Sequence, residues 1–589
     1  MTMKTPLLIL FALLLSVAAF YSIASRQQHA DLMIINAVIY TVDNADAKAE
    51  AVAVRGSRII AVGTTQDIQK HYTSQNVIDA QGKTVVPGLI DSHAHVLGLG
   101  LSLSEVNLYG TESPQQIVEL VAEKVKQLKP GEWIRGRGWD QNDWGKGMGQ
   151  RPFPTAAQLD KVSPNNPVVL KRVDGHAVWV NSKAMEVAKR STDLTTEVDG
   201  GMILRDRMGN PNGIFIDNAV SIIESAVPDY SLEEKTGLYD LALKECLRNG
   251  ITGVHDMGID ESGYKIYRTL ASHRRLPIRI NAFIGGNGAL LNRMFAEGPF
   301  IDHVNKSLTV RSVKIYLDGA MGSRGAALIE PYSDETNNRG LITFPPDSIR
   351  VITEQALENG FQVGIHAIGD RANKIALDAF EKASQKNPLK ARSARMRIEH
   401  AQVIAPEDIH RFKQLNVIPS MQPTHATSDM YWVQSRLGPD RVLGSYAWRS
   451  LLDDGNIIPS GSDFPVENPN PLLGFYAAVS RQDTRGIPNT AEDVAMQFQL
   501  SAEGIRDSSN FSGGWFPGQK MTRQEALRSF TLWGAYAEFM EGEKGSIEEG
   551  KLADLVILSK DIMSVPLKEI PATEVEMTIV GGIIRYQKK

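Results

Sequence analysis

The sequence predicts an α/β protein: a (β/α)8 TIM barrel with an inserted cap, and a small β-sandwich domain built from both termini. Three observations predict it. Short apolar runs alternate with helical segments through the middle of the chain. β-rich runs broken by Asn, Asp and Gly stand at both ends. Polar, chemistry-bearing residues fall where the apolar runs of the middle stop. The 589 residues, 42% hydrophobic and 22% charged, supply ample material for a large core.

Taken in order, residues 1–25 come first. Lys4 precedes the apolar "PLLILFALLLSVAAFYSIAS", and Ser22-Ile23-Ala24 fits a cleavage site with small residues at both key positions. This reads as a secretory signal peptide. The alternative is an uncleaved anchor, since the run is nearly long enough to span a bilayer. No cysteine follows the run, which excludes a lipoprotein anchor. Either way an exported body is expected, periplasmic or secreted, with membrane contact only if the segment stays attached. Residues 26–86 carry "ADLMIINAVIYTVD" and "AVAVRGSRIIAVG", and residues 541–589 carry "GKLADLVILSKD" and "EVEMTIVGGIIRYQ". These are the two halves of the β-domain, with residues 87–540 inserted between them.

Within 87–540, the run ending "VVPGLIDSHAH" is followed by "ITGVHDM", "IRINAFI", "RSVKIYL", "FQVGIHA", "MRIEHA", "NVIPSMQ" and "NIIPSGSDF". That makes eight strands, with helices such as "DSIRVITEQALENG" and "RANKIALDAFEKASQ" between them. Residues 98–245 are too long for one connection and read as a cap over the barrel mouth. There "NPVVLKRVDGHAVWVNSKAM" reads as a strand entering a helix. A second insertion, about 484–520, is rich in Gly, Ser, Asn and Pro. The net charge of -5 gives no basic excess and argues against nucleic acid as a partner. The single cysteine, Cys246, excludes an intrachain disulfide and a cysteine-rich zinc site. A small molecule is the expected partner, and a homo-oligomer is left open.

Residues two apart on a strand point the same way, so His93 and His95 present both imidazoles at the carboxyl end of the first strand. Barrel active sites sit at that end. The fourth strand ends with Lys314, the fifth with His366, the sixth with His400 and the eighth with Asp463. All six side chains then converge on one mouth, and four of the twelve histidines fall at these points. Core histidines satisfied by backbone partners would have to recur four times in register, so a metal centre is the expectation.

The motifs "GLIDSHAH", "VKIYLDGAMGS", "GIHAIGDRAN", "RIEHAQ" and "GSDFPVENPNPL" resemble those of the amidohydrolase superfamily. More narrowly they resemble the branch that includes N-substituted formamide deformylase. The resemblance runs from residue 31 to the end, including "GSIEEGKLADLVIL". It implies one or two divalent ions, usually zinc. His93, His95 and Asp463 would hold the more buried ion, and His366 and His400 the second. Lys314 would bridge them as a carbamate formed with carbon dioxide. An ammonium beside two cations is disfavoured, whereas the neutral amine can add carbon dioxide and become an oxygen donor. The alternative for Lys314 is an ion pair with Asp318.

The expected chemistry is attack of a metal-activated hydroxide on a carbonyl. Asp463 takes the water proton and passes it to the departing nitrogen. Amides are the natural target, because amines leave poorly without that proton. A lactone, ester or cyclic amidine uses the same centre. The alternative of another class is a catalytically silent metal or small-ligand binder, disfavoured because Asp463 is present along with every ligand position.

Other residues carry two readings. Arg172, Asp174 and His176, in "KRVDGHAVWVNS", either grip the substrate or fix the cap's own turn. His425 follows the seventh strand and is a candidate to touch the substrate carbonyl. Trp139 and Trp144 line a pocket or belong to the core. His255 faces the mouth or packs. Asp370 and Arg371 are expected to brace the fifth loop through a local ion pair.

Overall fold

Seven of the eight apolar runs pair as parallel strands: β1 (Leu89–Ala94), β2 (Ile251–Ile259), β3 (Arg279–Gly285), β4 (Leu308–Tyr316), β5 (Gln362–Ala367), β6 (Arg397–His400) and β7 (Ile418–Ser420). They are seen in a computed structural model that describes residues 27–141, 144, 152–172, 176–191, 193–195, 198, 201–490, 493 and 507–589. The candidate signal segment, 1–25, lies outside the described residues. Sheet order equals chain order from β1 to β7. A short strand, Phe300–Ile301, pairs antiparallel with β4. The strands are buried on both faces, which is why they read as near-continuous apolar runs rather than alternations.

The eighth run departs from expectation. Residues 456–464 form no regular strand, yet they fill the eighth position. Ser460 bridges Met421 in parallel sense, the Ser92 N–H donates to Ser460 O (3.0 Å), and the Asp463 N–H donates to His93 O (2.7 Å). Pro459 lacks an N–H for a ladder. Gly461 passes so close to β1 that a Cβ there would lie 2.4 Å from His93 N. Asp463 then turns at φ 60°. The barrel closes through a bent segment.

Helices follow β2 to β7 in turn: Glu261–Ser272, Ala289–Glu297, Pro346–Glu358, Asp370–Lys386, Ile409–Gln414 and Trp448–Asp453. The first shows the logic. Asp260 caps it by accepting from Gly263 N, and Tyr264, Tyr267 and Ala271 with Gly263, Ile266 and Leu270 form its buried stripe.

The terminal segments form two facing sheets. One has the order Arg58–Gly63, Ala51–Arg55, Leu32–Ile35, Val77–Asp79. The other runs Ile583–Gln587, Val575–Val580, Leu555–Leu558, Thr84–Pro87, Val38–Tyr40, Lys48–Ala49. The strand Thr84–Pro87, from the amino-terminal half, pairs antiparallel with Leu555–Leu558, from the carboxyl-terminal half. Between the sheets lie Ile34, Val52, Val54, Val85, Leu555, Ile557 and Ile579, all buried. Each such side chain contributes roughly 1.5–3 kcal/mol. The buried Arg279 of β3 holds Asp554 through two bonds, of 2.6 and 2.8 Å, and so ties the barrel to this sandwich.

Val96–Ala242 is a compact unit of its own. Its six-stranded sheet has the order Val106–Asn107, Ile134–Trp139, Val168–Arg172, Ala177–Val180, Pro211–Asp217, Gly201–Arg205. The stretch expected to be a strand entering a helix is instead a hairpin, Leu170 opposite Trp179, before the helix Ser182–Ala188. Asn181 caps that helix by accepting from Ala184 N. Of the second insertion, the described parts include short 3-10 turns at Ser508–Phe511 and Pro517–Gln519.

Candidate metal centre

β1 ends in Asp91-Ser92-His93-Ala94-His95, and each residue there has a distinct task. Asp91 is buried and accepts from His93 N (3.1 Å), Ser462 N (3.1 Å) and Ser462 Oγ (2.6 Å). It thereby clamps the bent eighth segment onto β1 and sets Asp463 opposite the two histidines. Asp463 Oδ1 lies 3.2 Å from His95 Nε2 and 3.6 Å from His93 Nε2. Its Oδ2 lies 3.8 Å from His425 Nε2.

The other ligand candidates come from β4, β5 and β6. Lys314 is buried, with Nζ 3.2 Å from His93 Nε2. It makes no ion pair with Asp318, whose carboxylate instead accepts from the backbone of Ala327, Ile368 and Gly369 at 2.9–3.0 Å. The His400 ring lies 4.6 Å from that of His93 and 4.5 Å from that of His366, and it stacks on His425 at 5.9 Å. His400 and Ala401 both have positive φ, 73° and 44°, so the chain leaves β6 in a conformation that non-glycine residues rarely adopt. The His400 Nδ1 is held by Gln422 Oε1 at 2.7 Å, and His95 Nδ1 by Met257 O at 3.1 Å.

Burial, reinforced by the neighbouring Lys314, lowers His93 to about 4. Burial likewise takes His366 and His400 well below the ordinary histidine value. These three imidazoles are neutral at pH 7 and carry free lone pairs. Burial lowers Lys314 to about 8. Burial opposes the charge of Asp463, but His93, His95 and His425 outweigh it and hold the carboxyl below its usual range. Asp463 Oδ1, His366 Nε2 and His425 Nε2 are all buried without an aligned hydrogen bond among the described residues. Buried acceptors facing one another are costly unless something positive joins them. A divalent cation fits that need, and nitrogen and oxygen donors of this kind suit zinc.

Two triads have donor atoms within 4.8 Å of one another: His93, His95 and Asp463, and His400, His425 and Asp463. His425, which the sequence reading gave to substrate, thus stands within ligand range. His366 belongs to neither triad, and its Nε2 lies 3.5 Å from Asp318 Oδ1.

The remaining candidates have the following surroundings. Arg172 ends a strand of the separate unit, and Asp174 lies outside the described residues. His176 is exposed, with Nδ1 3.0 Å from Asp217 Oδ1. Trp139 and Trp144 stack at 5.9 Å in that unit's apolar core. His255 sits mid-strand in β2, buried, 2.8 Å from Arg397. Asp370 makes no ion pair with Arg371; it accepts from the backbone of Ile329 and Arg371, both at 2.8 Å. Sequence reasoning missed Asp91, Arg397, Glu399 and Gln422. Charged residues inside apolar strands, as in "RIEH", were the available signal for two of them.

Comparison with known proteins shows the family. A family model described as "Amidohydrolase family" matches residues 76–586, and the chain belongs to that family. The chain is 34% identical to Protein LONG AFTER FAR-RED 3 of Arabidopsis thaliana over 94% of this chain and 91% of that protein. It is 27% identical to an N-substituted formamide deformylase of Arthrobacter pascens, over 95% and 99%. A solved structure, an uncharacterized metal-dependent hydrolase from Pyrococcus furiosus, superposes with a TM-score of 0.71 at 26% identity, covering 90% of this chain and all of that one.

Proposed function

We propose that this metal-dependent hydrolase cleaves an amide-type, non-peptide C–N bond of a small molecule, with Asp463 moving the proton. One observation carries the reading: a buried carboxylate oxygen, Asp463 Oδ1, facing His93 and His95 without an aligned donor. In this reading His93, His95 and Asp463 would hold one ion, His366 and His400 a second, and Lys314, as a carbamate, would supply a further oxygen donor. A divalent ion there supplies a water acidified to near neutral pH and an electrophile for the carbonyl. Asp463 stays ionised across the physiological range, so it can accept a proton and hand it to the leaving nitrogen. Lys314, with its amine near 8, has a substantial neutral fraction at pH 7–8. That amine nitrogen bonds to the carbon of carbon dioxide, loses one proton, and becomes an anion. His425, with Nε2 3.8 Å from Asp463 Oδ2, is assigned to the substrate carbonyl. Arg172, Asp174 and His176 keep their expected role toward the substrate, which alanine variants with raised KM and little-changed kcat would support. The name of the Arthrobacter pascens relative points to the same bond class.

The test is a panel of N-formyl and N-acyl amines with zinc-loaded protein, run beside Asp463→Asn. The variant should lose about 10²–10⁴-fold on an amide. It should lose less on an activated ester, which departs without a proton. Equal losses on both, with zinc retained, would remove proton delivery from the mechanism. Export with cleavage near Ala24 is proposed on the apolar leader, and the mass of the mature amino terminus tests it.

A further inference from the structure

Barrel interiors are usually filled by layers of branched apolar side chains. Here a chain of buried polar groups crosses the interior and ends on His93. Lys544 Nζ lies 2.6 Å from Glu538 Oε1, and Glu538 Oε1 lies 3.5 Å from His255 Nε2. Arg397 Nη1 donates to His255 Nδ1 at 2.8 Å, and Arg397 Nη2 donates to Glu399 Oε2 at 2.9 Å. Arg397 Nε stands 2.7 Å from Glu399 Oε1. Glu399 Oε2 then lies 2.7 Å from His93 Nδ1. All six residues are buried.

The arrangement is built into the backbone. Gly364 of β5 leaves room for Glu399, since a Cβ there would lie 2.9 Å from Oε1. Gly253 of β2 does the same for Lys544, at 2.9 Å from Nζ. Arg397 also donates to Ser92 O, beside His93, and to Ser420 Oγ, both at 2.7 Å. The far end is anchored where the strands begin: Ala537 O accepts from Gln362, the first residue of β5, at 2.9 Å.

We propose that Glu399, held by Arg397, is a positioning residue that fixes the tautomer of His93 and so aims its Nε2 at a metal ion. An ionised carboxylate only accepts, so the proton must sit on Nδ1 and the lone pair on Nε2. Lys314 Nζ, 3.2 Å from Nε2, faces that same lone pair. A buried ion pair retained only to fill space would be replaceable by apolar residues at no cost to folding, so its link to a ligand is the informative feature. The inference rests on His93 being a ligand.

The experiment is zinc affinity and stoichiometry by chelator competition on the full chain, with thermal melting of each metal-free variant. Arg397→Met/Glu399→Leu removes the pair without stranding a charge. It should melt near the wild-type temperature and bind one zinc equivalent about 10–100-fold more weakly. Glu399→Gln, of equal volume, serves if the double variant does not fold. With its oxygen toward His93, its amide NH2 faces Arg397 Nε, donor against donor, so the hold on His93 is disturbed and the same equivalent should weaken. Wild-type affinity in either folded variant overturns the proposal. His93→Ala is the control: if it keeps every zinc equivalent at full affinity, the ligand reading fails, whereas loss there with none in the Glu399 variants sinks only the positioning role.

Discussion

The sandwich core and the barrel interior solve opposite problems with the same kind of strand. Between the two terminal sheets, Ile34, Val52, Val85, Leu555, Ile557 and Ile579 pack with no charge among them. Inside the barrel, His93, His255, Lys314, Arg397 and Glu399 are equally buried. The first arrangement gains free energy from every side chain. The second gives up much of that gain, since buried ions recover only part of their desolvation cost through partners. The difference separates the region that holds the fold from the region that the fold holds ready. It also says where a substitution should change activity and where it should change stability.

Four measurements break or sharpen that contrast. The largest effect is expected for His93→Ala/His95→Ala: activity falling at least about 10³-fold, as several kcal/mol of transition-state stabilisation leaves with the ion. Circular dichroism should still report a folded barrel, and elemental analysis should show the zinc loss; full zinc would contradict the ligand assignment. Lys314→Ala should cost on the order of 10²-fold and recover in part with added formate or acetate, which can occupy the vacated position. Absence of rescue with zinc retained would argue against a carbamate. On the sandwich side, Leu555→Ala should destabilise by about 2–5 kcal/mol in denaturant titrations and leave kcat unchanged.

The smallest effect concerns pH. Burial opposes the charge of Asp554, but Arg279 outweighs it and lowers the carboxyl below its ordinary value. A depressed carboxyl contributes stability that is complete above the unfolded value, about 3.9, and is lost as pH falls through the folded one. Wild-type protein should therefore lose stability below about pH 4 more steeply than Arg279→Met/Asp554→Leu. Identical acid titrations would show that the pair carries none of the acid sensitivity.

The strands β1 to β7 were legible because a strand buried on both faces writes itself as an apolar run. His93, His95, Lys314, His366, His400 and Asp463 were legible as candidates because each interrupts an apolar run at or near its end. What was hidden lies across the barrel rather than along the chain. Glu399 meets His93 across 306 positions, and nothing local marks that meeting. Gly253 and Gly364 act through the volume they leave to Lys544 and Glu399, which a period of two cannot express. The eighth strand was misread because "NIIPSGSDF" is apolar enough to suggest a ladder, while Pro459, Gly461 and the turn at Asp463 bend it. The antiparallel pair Val168–Arg172 and Ala177–Val180 was hidden because both strands are apolar and the second runs straight into a helix.

The pairing of Thr84–Pro87 with Leu555–Leu558 sets a timetable for biosynthesis. The amino-terminal strands leave the ribosome first, but the half of the facing sheet that carries Leu555–Leu558 and Val575–Val580 follows only after the whole barrel has been made. At about 5–20 residues per second the wait is roughly 25–90 s. For that interval Ile34, Val52 and Val54 lack the Leu555, Ile557 and Ile579 part of their core, and the edge of Thr84–Pro87 is an open template for other strands. Gly88 alone separates that strand from β1, so the late closure also settles the start of the first barrel strand. Truncation before Leu555 should therefore remove the carboxyl-terminal part of this core and lower the yield of folded protein, not merely weaken the enzyme.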